Sequence, residues 1–120
     1  MEFYKLSNDL KRHITEFNSD FFMNQIISLD KEAKIGLLQL NENGVIGYHQ
    51  ATTPQLLYVI QGEGRVRNYS ANFYSLLQGE AVFWGQDEWH ETKTETGFIG
   101  LMIESKEITP EQIRMEKLRK

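Results

Sequence analysis

Short apolar or alternating runs, separated by turn residues, occupy the chain from Phe17 to Glu104. The runs are 5 to 9 residues long and rich in Ile, Val, Tyr, Phe and Leu, as in "FFMNQIISL", "QLLYVIQ" and "GFIGLMIE". Segments such as "NENG" at 41–44 and "QGEG" at 61–64 separate them and supply turn conformations. The pattern predicts an all-β fold, an antiparallel β-barrel or jelly-roll sandwich with its core at about residues 17–104.

The two ends of the chain show different patterns. Thr109 can cap a helix, Pro110 suits its first position, and Gln112 completes a capping box. These residues predict a short C-terminal helix at about residues 110–119. The N-terminal "YKLSNDLKRHITEF" fits either a short helix or an edge strand.

Length and composition set the scale of the fold. At 120 residues the chain can bury one hydrophobic core but not two, which predicts a single domain over 1–120. Hydrophobic residues make up 40% of the chain, so it has enough apolar surface to offset the entropy lost on folding.

Charge and cysteine content exclude several classes of function. The net charge of −4, without clustered Lys and Arg, argues against nucleic acid or anionic lipid as partners. The absence of cysteine excludes disulfides, thiolate nucleophiles and cysteine-bound zinc. The opening "MEFYKLSNDLKRH" lacks the apolar core of a signal peptide, and no apolar run approaches the roughly 18 residues of a membrane span. We therefore expect a cytoplasmic protein.

Two of the three histidines lie in segments with informative spacing. His49, Ala51, Gln55 and Gly62 occur at the spacing of a motif of the form His-x-His, three or four residues, Glu, six residues, Gly. A second segment, ending at His90, has the spacing of a Gly, Pro-x-Gly, His, Asn motif, at positions Gly79, Gly85, Asp87, His90 and Thr94. From about Ala33 to Glu104 the chain resembles the cupin superfamily, as a small single-domain cupin with degenerate metal-ligand motifs.

The resemblance implies that four ligand positions converge inside a small β-barrel, where the family holds a divalent metal. This chain keeps His49 and His90 but has Ala51 and Gln55 at the other two positions. Ala51 has no donor atom. Gln55 offers only a neutral carbonyl oxygen, so a dication would keep its full charge in a partly apolar interior. A metal such as Fe, Mn, Ni or Zn would have His49, Gln55 and His90 as its protein ligands.

Two sources of a compensating negative charge stay open. One of the acids near His90 (Glu80, Glu88 or Glu91) could turn inward, or an anionic ligand could supply the charge. On a strand, however, residue 91 points away from the face that carries His90. We expect these acids to form a solvated rim.

The period of two along the strands predicts a pocket. Gln55 and Leu57 share one strand face, as do His90 and Thr92 on another strand, and Ala51 leaves space where the motif has a histidine. Trp84 is placed to line or cover the mouth. The predicted ligand-binding residues are therefore His49, Ala51, Gln55, Leu57, Trp84, His90 and Thr92.

Several hypotheses about function remain. The first is a module that binds a small organic molecule without an essential metal. The second is an enzyme, either a metal-dependent oxygenase or isomerase using His49, Gln55 and His90, or a metal-free isomerase with His90 as general base. A sensing partner of a transcription regulator and a filled barrel without a site are the other two.

The sequence also predicts an assembly. The N-terminal run through Phe21, Phe22 and Ile26 offers apolar surface that a two-fold related copy could cover. We therefore expect a homodimer, as the family resemblance also implies.

Overall fold

The computed structural model describes all 120 residues, which form twelve short strands and almost no helix. The strands are β1 (Glu2–Lys5), β2 (Arg12–Ile14), β3 (Phe21–Met23), β4 (Lys34–Leu40), β5 (Val45–Gln50), β6 (Gln55–Gly62), β7 (Gly64–Arg67), β8 (Tyr74–Leu76), β9 (Glu80–Trp84), β10 (Trp89–Lys93), β11 (Phe98–Glu104) and β12 (Glu116–Leu118). No helix of the chain is long and apolar enough to cross a membrane.

The strands form antiparallel sheets arranged as a jelly-roll-like sandwich. One sheet has six strands in the order β12-β1-β9-β6-β11-β4, and the second has four in the order β5-β10-β7-β8. A third, separate sheet contains only β2 and β3. The all-β antiparallel prediction is confirmed. The sheets do not close into a barrel, because no ladder of main-chain hydrogen bonds joins the six-stranded sheet to the four-stranded one.

The central strands of the six-stranded sheet are buried on both faces. Leu57, Val59 and Trp84 point toward the four-stranded sheet and belong to the core between the two sheets. Leu56 and Ile103 point outward into a second apolar cluster, which the segments around Ile27 and Ile108 to Met115 cover. This two-sided burial explains why "QLLYVIQ" is a nearly continuous apolar run instead of a strict alternation.

The C-terminal helix predicted at about 110–119 is much shorter in the structure. A 3-10 helix occupies Pro110–Gln112, with the predicted capping box of Thr109 and Gln112, and the chain then continues into β12. Ile113 and Met115 are buried while Arg114 and Glu116 are exposed, and this alternation suits an extended chain packed on a sheet. Tertiary burial therefore overrides the local helix signal.

The N-terminal residues are part of the main sheet. Strand β1 lies between β9 and β12, although the predicted core began only at about residue 17. The stretch at residues 4–17, which fitted either a short helix or an edge strand, contains the end of β1 and all of β2, and β2 is a strand of the two-stranded sheet. Phe3 and Tyr4 are buried on opposite sides of the main sheet.

Candidate functional site

The two histidines of the motif spacing are neighbours on paired strands. His49 on β5 lies directly opposite His90 on β10, and the two ring centroids are 4.4 Å apart with an interplanar angle of 57°. A register shift follows between His90 and Thr92, so the strands pair differently beyond this point. The four-stranded sheet thus contributes an imidazole pair near its edge strand.

Main-chain carbonyls orient both rings. The Nδ1 atom of His49 lies 2.7 Å from the carbonyl oxygen of Gly47, and that of His90 lies 3.1 Å from the carbonyl of Glu88. A carbonyl can only accept, so each Nδ1 carries the proton when the ring is neutral. The two Nε2 atoms then present lone pairs. These carbonyls were not predicted, because any residue type can supply them.

Trp84 and Gln55 reach the same place from the six-stranded sheet. The Trp84 indole stacks on the His90 ring with centroids 4.2 Å apart and planes 21° from parallel. Gln55 pairs with Trp84 across β6 and β9, and opposite residues of an antiparallel pair project to the same face. The site therefore lies between the two sheets.

Two polar atoms at this place have no hydrogen-bond partner. They are Gln55 Oε1 and Trp84 Nε1, and no other buried side-chain nitrogen or oxygen of the chain is unpaired. An unpaired buried polar group costs about 1–3 kcal/mol of stability. A bound polar molecule at this position could pair with both the acceptor and the donor.

The environment of His90 favours its neutral form. Burial lowers the pKa of His90. The hydrogen bond to the Glu88 carbonyl raises this pKa, the charge of His49 lowers it, and the charge of the Glu88 carboxylate raises it. Burial is the largest of these effects. The imidazole at the centre of the site is thus held as a hydrogen-bonding group without charge.

The predicted pocket residues differ in exposure. His49 is exposed, whereas the other six are buried: Ala51, Gln55, Leu57, Trp84, His90 and Thr92. The main chain of Ala51 is fixed by hydrogen bonds to the turn before β10, donating to Glu88 and accepting from Asp87. Leu57 and Trp84 also belong to the core between the sheets. His49 is thus the exposed member of this set, and the other residues lie in the interior between the sheets.

Two surface cavities lie elsewhere. One of about 480 Å³ lies beside the start of β4 and the end of β11, and one of about 320 Å³ beside the start of β7. Polar and charged residues make up almost all of each lining, and neither lining contains an unpaired buried side-chain atom. We therefore place the candidate site at the imidazole pair, where side chains of both sheets converge.

Comparison with known proteins identifies the fold. No protein-family profile and no curated protein matches the chain. Among solved structures, an RmlC-like cupin from Shewanella frigidimarina is 21% identical with a TM-score of 0.58, covering 68% of this chain and 72% of that one. The chain has the cupin fold. A cupin superfamily protein from Desulfitobacterium hafniense is 14% identical, with a TM-score of 0.57 and coverage of 67% and 72%.

A third similar structure shows that likeness of fold does not by itself assign a function. A conserved protein of unknown function from Streptococcus pyogenes is 14% identical, with a TM-score of 0.58, and the match covers 72% of this chain and 78% of that one. At such identities the likeness establishes the cupin fold and no particular activity.

The donor atoms present do not make a metal site of the usual cupin kind. No group of three or more His, Asp or Glu side chains converges anywhere in the chain. The three acids considered from the sequence have other partners, namely Glu88 with Gly85, Glu91 with Arg67 and Glu80 with Lys120. Two imidazoles and one neutral amide would leave a dication without a compensating carboxylate, so these residues do not fit a resident metal.

Proposed function

We propose that this cupin-fold protein binds a small polar organic molecule between its two sheets, at His49, Gln55, Trp84 and His90, without an essential metal. The observation that carries the proposal is the pair of unpaired buried atoms, Gln55 Oε1 and Trp84 Nε1. A bound molecule that donates to the first and accepts from the second would recover the free energy that both lose.

The atoms of the site indicate the chemistry of the ligand. Trp84 Nε1 can only donate, Gln55 Oε1 can only accept, and the Nε2 atoms of His49 and His90 accept in the neutral form. A hydroxyl or a primary amide both donates and accepts, so either group matches this set. An anionic group does not, because burial holds His90 neutral and no cationic side chain belongs to the site.

The ligand enters beside His49. This is the exposed member of the site, whereas Gln55, Trp84 and His90 lie behind it. Buried apolar neighbours such as Leu57 exclude water from the inner side and so strengthen each hydrogen bond formed there.

Thermal melting against a panel of small alcohols, sugars and primary amides tests the proposal. A ligand at a hundredfold excess over its dissociation constant stabilises the native state by about 2.7 kcal/mol. For a domain of this size, that corresponds to a rise in Tm of roughly 10 °C. We expect at least one hydroxyl or amide compound to produce such a shift, and Trp84→Phe to abolish it. A shift that survives Trp84→Phe would contradict the assigned site.

A second candidate function is a metal-dependent cupin enzyme of the oxygenase or isomerase type, using His49, Gln55 and His90. The observation in its favour is that two adjacent imidazoles both present free Nε2 atoms. Elemental analysis of protein purified without a metal-binding tag separates the two candidates. Near-stoichiometric Fe, Mn, Ni or Zn would favour the enzyme and overturn the first proposal.

The cytoplasm remains the expected location. The chain has no cysteine, which suits a reducing compartment where disulfides do not form. Its net charge of −4 favours a small neutral ligand over nucleic acid as the binding partner.

A further inference from the structure

The side chain of Glu88, in the turn between β9 and β10, joins three segments of the chain. Its Oε1 atom accepts a hydrogen bond from the main-chain N–H of Gly85 at 3.0 Å. Its Oε2 atom accepts from the amino group of Met1 at 2.8 Å and from the side-chain amide of Asn68 at 3.5 Å. The Glu88 side chain is only 17% exposed. Both carboxylate oxygens are thus used, and each of their three partners is a donor.

The main-chain carbonyl of the same residue reaches the ligand site. Its oxygen lies 3.0 Å from the N–H of Ala51 and 3.1 Å from Nδ1 of His90. A carbonyl oxygen has two lone pairs, so it accepts from both donors. The proton on His90 Nδ1 therefore depends on where this carbonyl points, and the turn determines that direction.

The turn is held in an unusual conformation. Asp87 has a φ of 68°, in the left-handed region that residues other than glycine rarely adopt. Its N–H donates to the carbonyl of Ala51 at 2.7 Å, and its own carbonyl accepts from the side chain of Gln50 at 3.1 Å. An unfavourable backbone conformation persists where the surrounding contacts enforce it. These bonds hold the turn against the end of β5, while Glu88 holds it from the other side.

We propose that Glu88 is a positioning residue whose carboxylate closes this turn and thereby keeps the proton of His90 on Nδ1. The inference rests on the proposed function, because the ligand site there uses His90 Nε2 as an acceptor. The Glu88 carboxylate itself makes no hydrogen bond to a side chain of the site. It acts through its own main-chain carbonyl.

The tautomer of His90 decides what the site offers to a ligand. In a neutral histidine, the hydrogen bond made by one ring nitrogen determines which nitrogen carries the proton. With a carbonyl beside Nδ1, that nitrogen donates and Nε2 accepts. If the turn opens, Nδ1 loses its acceptor and the proton can move to Nε2. His90 would then present a donor to the ligand in place of an acceptor.

Only a carboxylate satisfies the surroundings of this side chain. Glutamine has the same shape, but an NH2 group replaces one of the two oxygens. In one orientation this NH2 faces the N–H of Gly85, and in the other it faces the amide of Asn68 and the amino group of Met1. Two donors facing each other form no hydrogen bond, so Glu88→Gln should loosen the turn without changing its volume.

NMR of the imidazole 15N nuclei in the ligand-free protein tests the proposal. The protonated and unprotonated nitrogens of a neutral ring give well-separated signals, and mixing of the two tautomers brings these signals together. Spectra at about pH 8, above the usual pKa of histidine, contain all three histidines, and His90→Gln assigns the signals of His90. We expect the parent to be protonated at Nδ1. In Glu88→Gln the population of the other tautomer should rise by roughly five- to tenfold, the factor that one lost hydrogen bond represents.

Glu91→Gln is the matched control. The Glu91 side chain is 20% exposed and pairs with Arg67 at 2.7 Å, and it makes no hydrogen bond to the turn. The Glu88→Gln, Asn68→Asp double variant is the rescue, because a carboxylate at position 68 can accept from the new amide at position 88. That bond is then kept with its donor and acceptor exchanged. We expect both the control and the rescue variant to keep His90 protonated at Nδ1.

Four results would overturn the positioning role. They are a parent that already mixes tautomers, a Glu88→Gln protein with the parental tautomer, a control that mixes them as Glu88→Gln does, and a rescue variant that does so. None of these measurements needs a ligand, so they are separate from the thermal-melting test of the proposed function. If no alcohol, sugar or amide raises the Tm while Glu88→Gln alters the tautomer, the proposed function fails and the positioning role stands.

Discussion

At the scale of single residues, the unpaired atoms of Gln55 and Trp84 are the least expected feature of the interior. Each costs about 1–3 kcal/mol, a large share of the roughly 5–15 kcal/mol by which a native domain is stable. Both occur beside the His49–His90 pair and nowhere else in the chain. Loss of stability concentrated at one spot is typical of a site kept for binding.

Replacing Gln55 with Leu tests this cost. The change removes the unpaired acceptor and keeps the side-chain volume close to the original, so the free energy of unfolding should rise by about 1 kcal/mol. Gln61→Leu, at an exposed position of the same strand, should change it by less than about 0.5 kcal/mol. Urea unfolding of the three proteins measures both values. A destabilised Gln55→Leu protein would mean that the amide already has a partner, such as an ordered water.

The neutral state of His90 predicts a pH dependence. Since burial lowers its pKa below the unfolded value of about 6.5, the unfolded chain takes up this proton first as the pH falls. The contribution of His90 to stability is complete above about pH 6.5 and is lost as the pH falls through the lower folded value. The His90→Gln variant should not show this loss of stability in acid, because glutamine does not titrate.

Urea midpoints of both proteins between about pH 8 and pH 5 measure the effect. We expect the parent to lose stability relative to His90→Gln in the acidic part of this range. A parent that gains relative stability in acid would mean that the nearby Glu88 carboxylate outweighs burial at His90, and would contradict the neutral site.

At the scale of elements, the turn between β6 and β7 depends on Gly62. Its φ of 83° is unfavourable for other residues, and an added Cβ would lie 2.4 Å from the Gly97 carbonyl oxygen. Gly62→Ala should lower the free energy of unfolding by roughly 2–3 kcal/mol. Gly36→Ala on β4, where an added Cβ meets nothing within 4 Å, is the control and should cause no such loss. Equal effects in thermal melts would show that the turn tolerates rearrangement.

Some of these elements could be predicted from the sequence and others could not. The strands around His49 and His90 could be predicted because their spacing and period of two are local patterns. The stacking of Trp84 on His90 could not, since it depends on how two sheets face each other. The predicted capping box at Thr109 forms, but the helix that follows it ends at Gln112. Burial of Ile113 and Met115 on the sheet outweighs the helix propensity of the next residues. The β2–β3 hairpin could not be predicted, because the N-terminal pattern fitted a short helix as well as a strand.

At the scale of the whole molecule, the chain has the cupin fold, but no group of three or more His, Asp or Glu side chains converges in it. Supplying such a group should create metal binding if positions 51 and 55 face the imidazole pair. Ala51→His with Gln55→Glu would supply three imidazoles and a carboxylate. Ala51 is fully buried, so the metal-free variant should be less stable than the parent by roughly 1–3 kcal/mol.

Thermal melting with and without Mn(II) or Ni(II) measures the stability that metal binding adds to each protein. At a hundredfold excess of metal over its dissociation constant, the double variant should gain about 2.7 kcal/mol. Ala51→His alone, without the carboxylate, should gain little. A large shift in the parent would move the enzyme hypothesis to first place, and no shift in any protein would show that the four side chains cannot converge.

The most direct test of the central claim is the indole N–H spectrum of the protein by NMR. The chain has two tryptophans, so two signals appear, and a Trp89→Phe variant assigns the one from Trp84. The account predicts that a small hydroxyl or amide compound shifts the Trp84 signal saturably, while equimolar paramagnetic Mn(II) leaves it intact. Broadening of that signal by equimolar Mn(II), with no organic compound able to shift it, would contradict the account.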